Sequence, residues 1–318
     1  MIKRSFRVLS YVLAFTAFSV VFIQCKKKEV QSTQSNVEID YKALDETPVS
    51  GYTRILVDES VYPIANEVNE IFMYEYNRVK VDLVRKSEGE VLNMLMNDSI
   101  RVAVLPRKLT DKEVEHFKGR VKPKMTHFAT DAIVFGTSKV FNDSIIDYEQ
   151  VLSNLQKPNS EQRGNHILVF DNVNSSIVST FKEKANVKEF AKDYAYFGGD
   201  TESVIDYVSK NSDAIGVIGL NWLTQPTVEL EEKLAQLKVL SVKNVKDGKY
   251  YKPSQNNIAE GTYPLIRDLY VVDIQGKSGL GVGYASYIAG YKGQRIVLKS
   301  NLVPFKVPPR ELNVRKEI

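Results

Sequence analysis

Apolar residues recur along this chain with two alternating periods. After Thr53, short runs rich in β-branched residues (Arg54–Val57, Val79–Val84, Val102–Leu105) are separated by stretches with helical spacing, Pro63–Tyr76 and Gly89–Met96. In the first of these stretches Ile64, Val68, Ile71 and Phe72 fall on one helical face. Pro63 suits a first turn, where a missing N–H costs no bond. Such alternation predicts parallel strands joined by right-handed crossovers, an α/β architecture. Two further apolar runs, Ala129–Phe135 and Leu269–Ile274, flank a middle segment with its own strands (Ile167–Phe170, Ala214–Ile218) and helices (Ser175–Ala185, Glu202–Ser209). A segment inserted between two strands predicts two α/β lobes joined by two crossing strands, with residues 51–130 and 264–318 in lobe 1 and residues 131–263 in lobe 2. Helices over Val282–Tyr291 and Gln294–Leu298 close the chain. The stretch Thr227–Tyr263 is mixed and polar, and its pattern assigns no element.

The amino terminus has a different character. Lys3, Arg4 and Arg7 precede an apolar run from Val8 to Ile23, the charge and hydropathy order of a signal peptide over residues 1–24. That run is shorter than the roughly 20 residues a spanning helix needs. It leads to Cys25, the single cysteine of the chain, which has no internal disulfide partner and stands where bacterial lipoproteins carry their lipid. The preceding Phe22-Ile23-Gln24 lacks the small residue usual at that junction. Lys26–Lys28 suit a position beside lipid headgroups, and the polar, aperiodic segment to Ser50 reads as a tether over residues 25–50.

Composition narrows the function. With 43% hydrophobic and 26% charged residues, the chain can bury a sizeable core. Its net charge of +4 owes much to the basic amino terminus, so the body carries no basic stripe of the kind that binds nucleic acid. His116, His127 and His166 are scattered, and one cysteine cannot build a Cys/His zinc cluster. Gly276-Lys277-Ser278 imitates the end of a phosphate-binding P-loop, but Val271 stands where its first glycine belongs. No nucleophile elbow occurs. These absences predict no cofactor, no metal and no catalytic residues.

Several segments, in order, resemble the PstS-like phosphate-binding proteins of ABC importers. They are Ser60-Val61-Tyr62-Pro63, Ala214-Ile215-Gly216-Val217-Ile218, Tyr263-Pro264-Leu265 with Arg267, Leu269 and Tyr270, and Gly290-Tyr291-Lys292-Gly293-Gln294 followed by Leu302-Val303-Pro304. The resemblance implies a bilobal class II periplasmic-binding-protein fold that holds phosphate or a related small oxyanion in an interlobe cleft. It further implies a monomer on the envelope membrane, anchored by a lipid at Cys25 and serving an importer permease.

An anion cleft calls for backbone N–H groups at helix starts. Two loop-to-helix junctions qualify, Glu59-Ser60-Val61 and Asn174-Ser175-Ser176-Ile177, although Ser60 and Ser175 also suit ordinary N-capping. By resemblance, Ser87 belongs to a loop that reaches the ligand and Arg107 is a second cation. Two positions depart from the family. Arg101 stands where the family has an Asp that accepts the phosphate proton, and Asp171 stands where it has an Arg. Were the two charges exchanged between lobes, Arg101 would pair the anion with its planar fork and Asp171 would accept the proton or pair with Arg101. The family's Ser-Gly-Thr loop is here Ser175-Ser176-Ile177, which lacks the third donor. A second reading follows from these departures: an accessory envelope lipoprotein that keeps the fold, has lost the ligand and binds a protein partner.

Overall fold

The computed structural model describes residues 39–157 and 166–308; the expected signal peptide over residues 1–24 and Cys25 lie outside them. In chain order the elements begin with β1 (Gly51–Asp58), a 3₁₀ turn (Glu59–Val61), α1 (Tyr62–Glu75), β2 (Val79–Lys86), α2 (Glu88–Met96), β3 (Val102–Leu105), α3 (Asp111–Glu115) and β4 (Lys124–Ser138). The middle segment follows with β5 (Ile145–Ile146), α4 (Tyr148–Gln156), β6 (Ile167–Phe170), α5 (Ser176–Ala185), β7 (Ala195–Phe197), α6 (Thr201–Lys210) and β8 (Ala214–Gly219). Next come α7 (Leu220–Thr224), α8 (Val228–Leu234), β9 (Leu237–Val239), β10 (Ser241–Lys243), β11 (Tyr250–Tyr251) and α9 (Gln255–Ala259). The chain returns through β12 (Ile266–Asp273), α10 (Leu280–Ala289), α11 (Tyr291–Lys299) and β13 (Val303–Pro304). Every strand and helix expected from the apolar pattern is present, with ends shifted by a few residues.

The principal sheet runs β2-β1-β3-β12-β4-β8-β6-β7. Its organising strand is β4, which changes partner midway. Residues Lys124–Ala132 pair antiparallel with β12, whereas Ile133–Thr137 pair antiparallel with β8. The two lobes of the α/β fold are therefore halves of one hydrogen-bonded path. Because β1, β2 and β3 are mutually parallel and β12 is antiparallel to both β3 and β4, these three strands run in the same sense as β4. Strands β6, β7 and β8 run the opposite way. The carboxyl ends of both sets consequently face each other where β4 switches partner, the position at which open α/β sheets bind ligands.

Burial follows the sheet. Ile55, Val57, Val104, Leu269 and Val271 from the first half, and Leu168, Val169, Ile215 and Val217 from the second, are almost fully enclosed, as expected for strands covered on both faces. The polar stretch after Thr227 contains α8, β9 to β11 and α9, all short, and β10 joins β5 and β11 in a small separate sheet.

Residues Asp40–Ser50, expected as tether, instead pack on the first lobe. The Glu46 carboxylate accepts bonds from the Leu280 N–H at the start of α10 (3.0 Å), from Gln275 (2.9 Å) and from Lys277 (2.6 Å). Burial pushes its pKa up, but these bonds and the Lys277 charge outweigh that and hold it below the ordinary value. The P-loop-like Gly276-Lys277-Ser278 thus serves an internal carboxylate. Gly283 allows the approach, since a Cβ there would lie 1.8 Å from the Pro48 carbonyl oxygen. Gly283→Ala is expected to expel this segment at a cost of about 1–3 kcal/mol. Limited proteolysis would then cut within residues 40–50 of the variant well before the wild type, and equal cutting of the two would refute the account.

Candidate functional site

At the strand ends a compact polar cluster joins the two lobes. Its centre is Asp58, the last residue of β1, which is 1% exposed. Its Oδ1 accepts bonds from the Ser60 N–H (3.0 Å), the Ser60 hydroxyl and the Ser176 hydroxyl (2.9 Å). Ser60 sits on the 3₁₀ turn after β1 and Ser176 opens α5 in the other lobe; their hydroxyl oxygens are 3.0 Å apart.

The cation of the cluster is Arg267, from β12. It donates to the Ser60 hydroxyl (2.8 Å), to the Ser60 carbonyl (3.2 Å) and, through two nitrogens, to Asp131 Oδ2 (3.1 and 2.7 Å). The Arg267 side chain is 7% exposed and that of Asp131 fully enclosed. Antiparallel pairing sets Arg267 directly opposite Asp131 in register, so the ion pair is a product of the sheet. Asn221, at the start of α7, donates to Asp131 (3.3 Å) and to the Ser60 carbonyl (2.7 Å).

Acidic groups surround this cation. Glu59 accepts the Thr201 N–H at the start of α6 (2.7 Å), while its own carbonyl takes the Trp222 indole N–H (3.0 Å). Asp171, just beyond β6, accepts the Ser175 hydroxyl (2.5 Å). Loss of hydration pushes all three carboxyls up: Asp58 to about 6 against the bonds from Ser60 and the Arg267 charge, Asp171 to about 6 against the Ser175 bond, and Glu59 to about 7, helped by the neighbouring Asp171 charge. Asp58 Oδ2, Asp171 Oδ2, Asp131 Oδ1 and Asn221 Oδ1 are buried and have no hydrogen-bond partner among the described residues.

The lobes are in direct contact around this cluster. The Gly89 N–H donates to the Asn174 carbonyl across the junction (3.1 Å), and Arg85 pairs with Glu202 (2.7 Å).

Of the residues expected from sequence, the structure brings Ser60, Ser176, Asp171 and Ser175 together. Ser175 also caps α5 by accepting the Val178 N–H (3.2 Å). Val61 and Ile177 stand at the same two junctions, but their side chains lie in the core, so only their backbone could meet a ligand. Ser87 spends its hydroxyl on Glu90 (2.8 Å) at the head of α2. Arg107 lies at the edge, tied to Glu88 (2.5 Å) and bidentately to Glu113 (2.8 Å each); the Glu113 bonds hold its guanidinium firmly charged.

Arg101 requires correction. It precedes β3 and so lies at the amino end of the parallel strands, the far edge of the sheet from the cluster. Its side chain is half exposed and pairs with Asp98 (2.5 Å). The proposed partnership with Asp171 does not form. The residue that sequence reasoning missed is Arg267, which was visible within the Tyr263-Pro264-Leu265 motif as a lone cation near the head of an apolar run.

Comparison with known proteins bears on the family and the fold. The sequence profile of the PBP superfamily domain matches residues 44–291. The phosphate-binding protein PstS of Staphylococcus aureus (strain USA300) is 24% identical over 223 residues, covering 67% of this chain and 65% of the relative's own length. The PstS of Staphylococcus haemolyticus is 23% identical over 223 residues. Among solved structures, a Clostridium perfringens protein described, with bound phosphate, as a candidate phosphate ABC transporter substrate-binding protein superposes with a TM-score of 0.67 at 18% identity, covering 80% of this chain and all (100%) of the other. An ABC-type phosphate transport receptor from Vibrio cholerae gives 0.59 at 14% identity, covering 80% and 100%. At these identities the structural likeness speaks for the fold, and with the profile spanning most of its length the chain belongs to the PBP superfamily, where it is similar to the PstS-like phosphate-binding proteins.

Proposed function

We propose that this protein is an extracytoplasmic solute-binding lipoprotein that holds phosphate or a related small oxyanion between its lobes and delivers it to an ABC importer. The observation that carries this reading is the convergence of the Ser60 N–H and hydroxyl and the Ser176 hydroxyl on one point at the strand ends of both lobes, with the Arg267 guanidinium one bond away on Ser60. Charge-assisted donors of this kind contribute on the order of 1.5–3 kcal/mol each to an anion. The kinship with phosphate-binding relatives supports the same ligand class. Delivery by opening and closing of the lobes makes and breaks no covalent bond, so the role is that of a carrier. A lipid on Cys25 would keep it, as a monomer, on a membrane of the cell envelope.

A thermal-shift titration of the full-length chain with phosphate, sulfate and neutral sugars tests the reading. An anion at 100 times its dissociation constant adds about 2.7 kcal/mol of stability. Melting raised by phosphate or sulfate and unchanged by sugars is expected. Melting indifferent to every anion would instead favour the accessory lipoprotein, a reading supported by the carboxylates already lodged among the donors.

A further inference from the structure

The donors that would serve an oxyanion are already engaged. One oxygen of Asp58 takes the Ser60 N–H, the Ser60 hydroxyl and the Ser176 hydroxyl, drawn from both lobes, while Arg267 holds Ser60 in place. A carboxylate oxygen with three donors and a nearby guanidinium is itself a bound anion, supplied by the chain. Glu59 does the same at the start of α6, and Asp171 with Ser175.

We propose that Asp58 is a built-in competitor for the cleft's anion, so that an incoming oxyanion gains these donors only as the Asp58 carboxyl takes up a proton and releases them. The inference rests on the oxyanion reading above and adds to it the residue that sets when the anion binds.

The surroundings make protonation the accessible route. Asp58 is enclosed, with one oxygen unpartnered. The charges that act on it are Arg267 from β12, itself paired with Asp131 of β4, and Glu88 from α2; Glu59, next on the turn, lies beside Asp171, which shares the Arg267 charge. Arg107 is committed to Glu88 and Glu113, and Arg85 to Glu202. Among the described residues of this cluster, Arg267 is the enclosed guanidinium and serves Asp131, Asp58 and Asp171 together, so a further negative charge can enter only as one of these carboxyls is neutralised. The carboxyl's position, raised to about 6, already lies where a neighbouring anion would carry it into the neutral range.

The test uses sulfate, whose charge does not change between about pH 5 and 8, so that any pH dependence belongs to the protein. The full-length chain would be titrated calorimetrically in buffers of different ionisation enthalpy, which counts protons. The wild type is expected to take up about one proton per sulfate at about pH 8 and to bind roughly tenfold more weakly for each pH unit above the Asp58 range. Asp58→Ala uncovers the donors and should bind at least about tenfold more tightly at that pH, with the proton uptake abolished. If the alanine variant does not fold, Asp58→Asn keeps the shape and is expected to bind without proton uptake. A wild type that binds sulfate or phosphate with no proton uptake, and an Asp58→Ala no tighter, overturns the inference and leaves the oxyanion reading standing. Absence of binding by both proteins at every pH overturns both.

Discussion

Replacing Arg267 with methionine is expected to lower the free energy of unfolding by about 3–5 kcal/mol and to abolish anion-dependent stabilisation. The cost arises from what is left behind. Asp131 is fully enclosed and takes both of its nearest charged contacts from this guanidinium, so its charge would stay buried and uncompensated, the situation in which breaking a buried pair is most expensive. Asp58 and Asp171, which also sense the Arg267 charge, would be pushed further up. Arg267→Lys should recover little, because one ammonium cannot span the Ser60 hydroxyl, the Ser60 carbonyl and Asp131 as the planar fork does. Adding Asp131→Asn to the methionine variant should restore part of the loss. Urea unfolding followed by circular dichroism measures all four proteins, and a methionine variant as stable as wild type would show that the ion pair does not hold the junction.

The second large effect is on pH. Stability is expected to rise as pH falls from about 8 to about 5, by about 3 kcal/mol or more. Asp58 and Asp171 are raised from 3.8 to about 6, and Glu59 from 4.5 to about 7. The folded protein therefore binds protons more tightly than the unfolded chain. The linkage then has one sign: these carboxyls cost stability while ionised, and that cost is relieved as each is protonated between its folded and its ordinary value. Below about pH 4 both states are protonated and the contribution is constant. There the opposite group takes over, since Glu46, Glu113 and Asp147 are held below their ordinary values by Lys277, Arg107 and Lys243, and their bonds are lost on protonation. The optimum should fall at mildly acidic pH. Glu59→Gln should flatten the alkaline limb, measured as the urea midpoint at about pH 5.5 and 8. A wild type whose midpoint rises over that interval would contradict the assignment.

Much of this fold is written in local patterns. Runs such as Val102–Leu105 and Ile167–Phe170 are short, apolar and bounded, and helices such as α1 carry their apolar face at regular spacing. The elements after Thr227 were not legible, because β9, β10 and β11 span only two or three residues each and owe their form to partners such as β4 and β5. Helix α4 was overlooked although Tyr148, Val151, Leu152 and Leu155 mark its buried face.

The site was half legible. Ser60 and Ser176 stand at helix starts, which sequence can identify. The cation does not, since Arg267 reaches the cluster only through the antiparallel pairing of β12 with β4, a long-range fact. Arg101 was misplaced for a related reason: alignment gives a residue's neighbours along the strand but not which end of the sheet faces the cleft. The acids Asp58 and Glu59 add negative charge beside the anion junction, and the structure accounts for them, because their oxygens hold Ser60, Ser176 and Thr201.

The change of partner along β4 also bears on how the molecule is made. Strand β12 sits between β3 and β4, yet the whole of the second lobe is synthesised before it. Until β12 arrives, β3 presents Val102-Ala103-Val104-Leu105 as an open edge, a template for pairing with other chains. The inserted lobe can close on local contacts, whereas the first must wait for a strand more than a hundred residues downstream, a separation that slows folding. Nascent copies therefore complete the first lobe last, and until then the open β3 edge is where newly made chains can pair with one another.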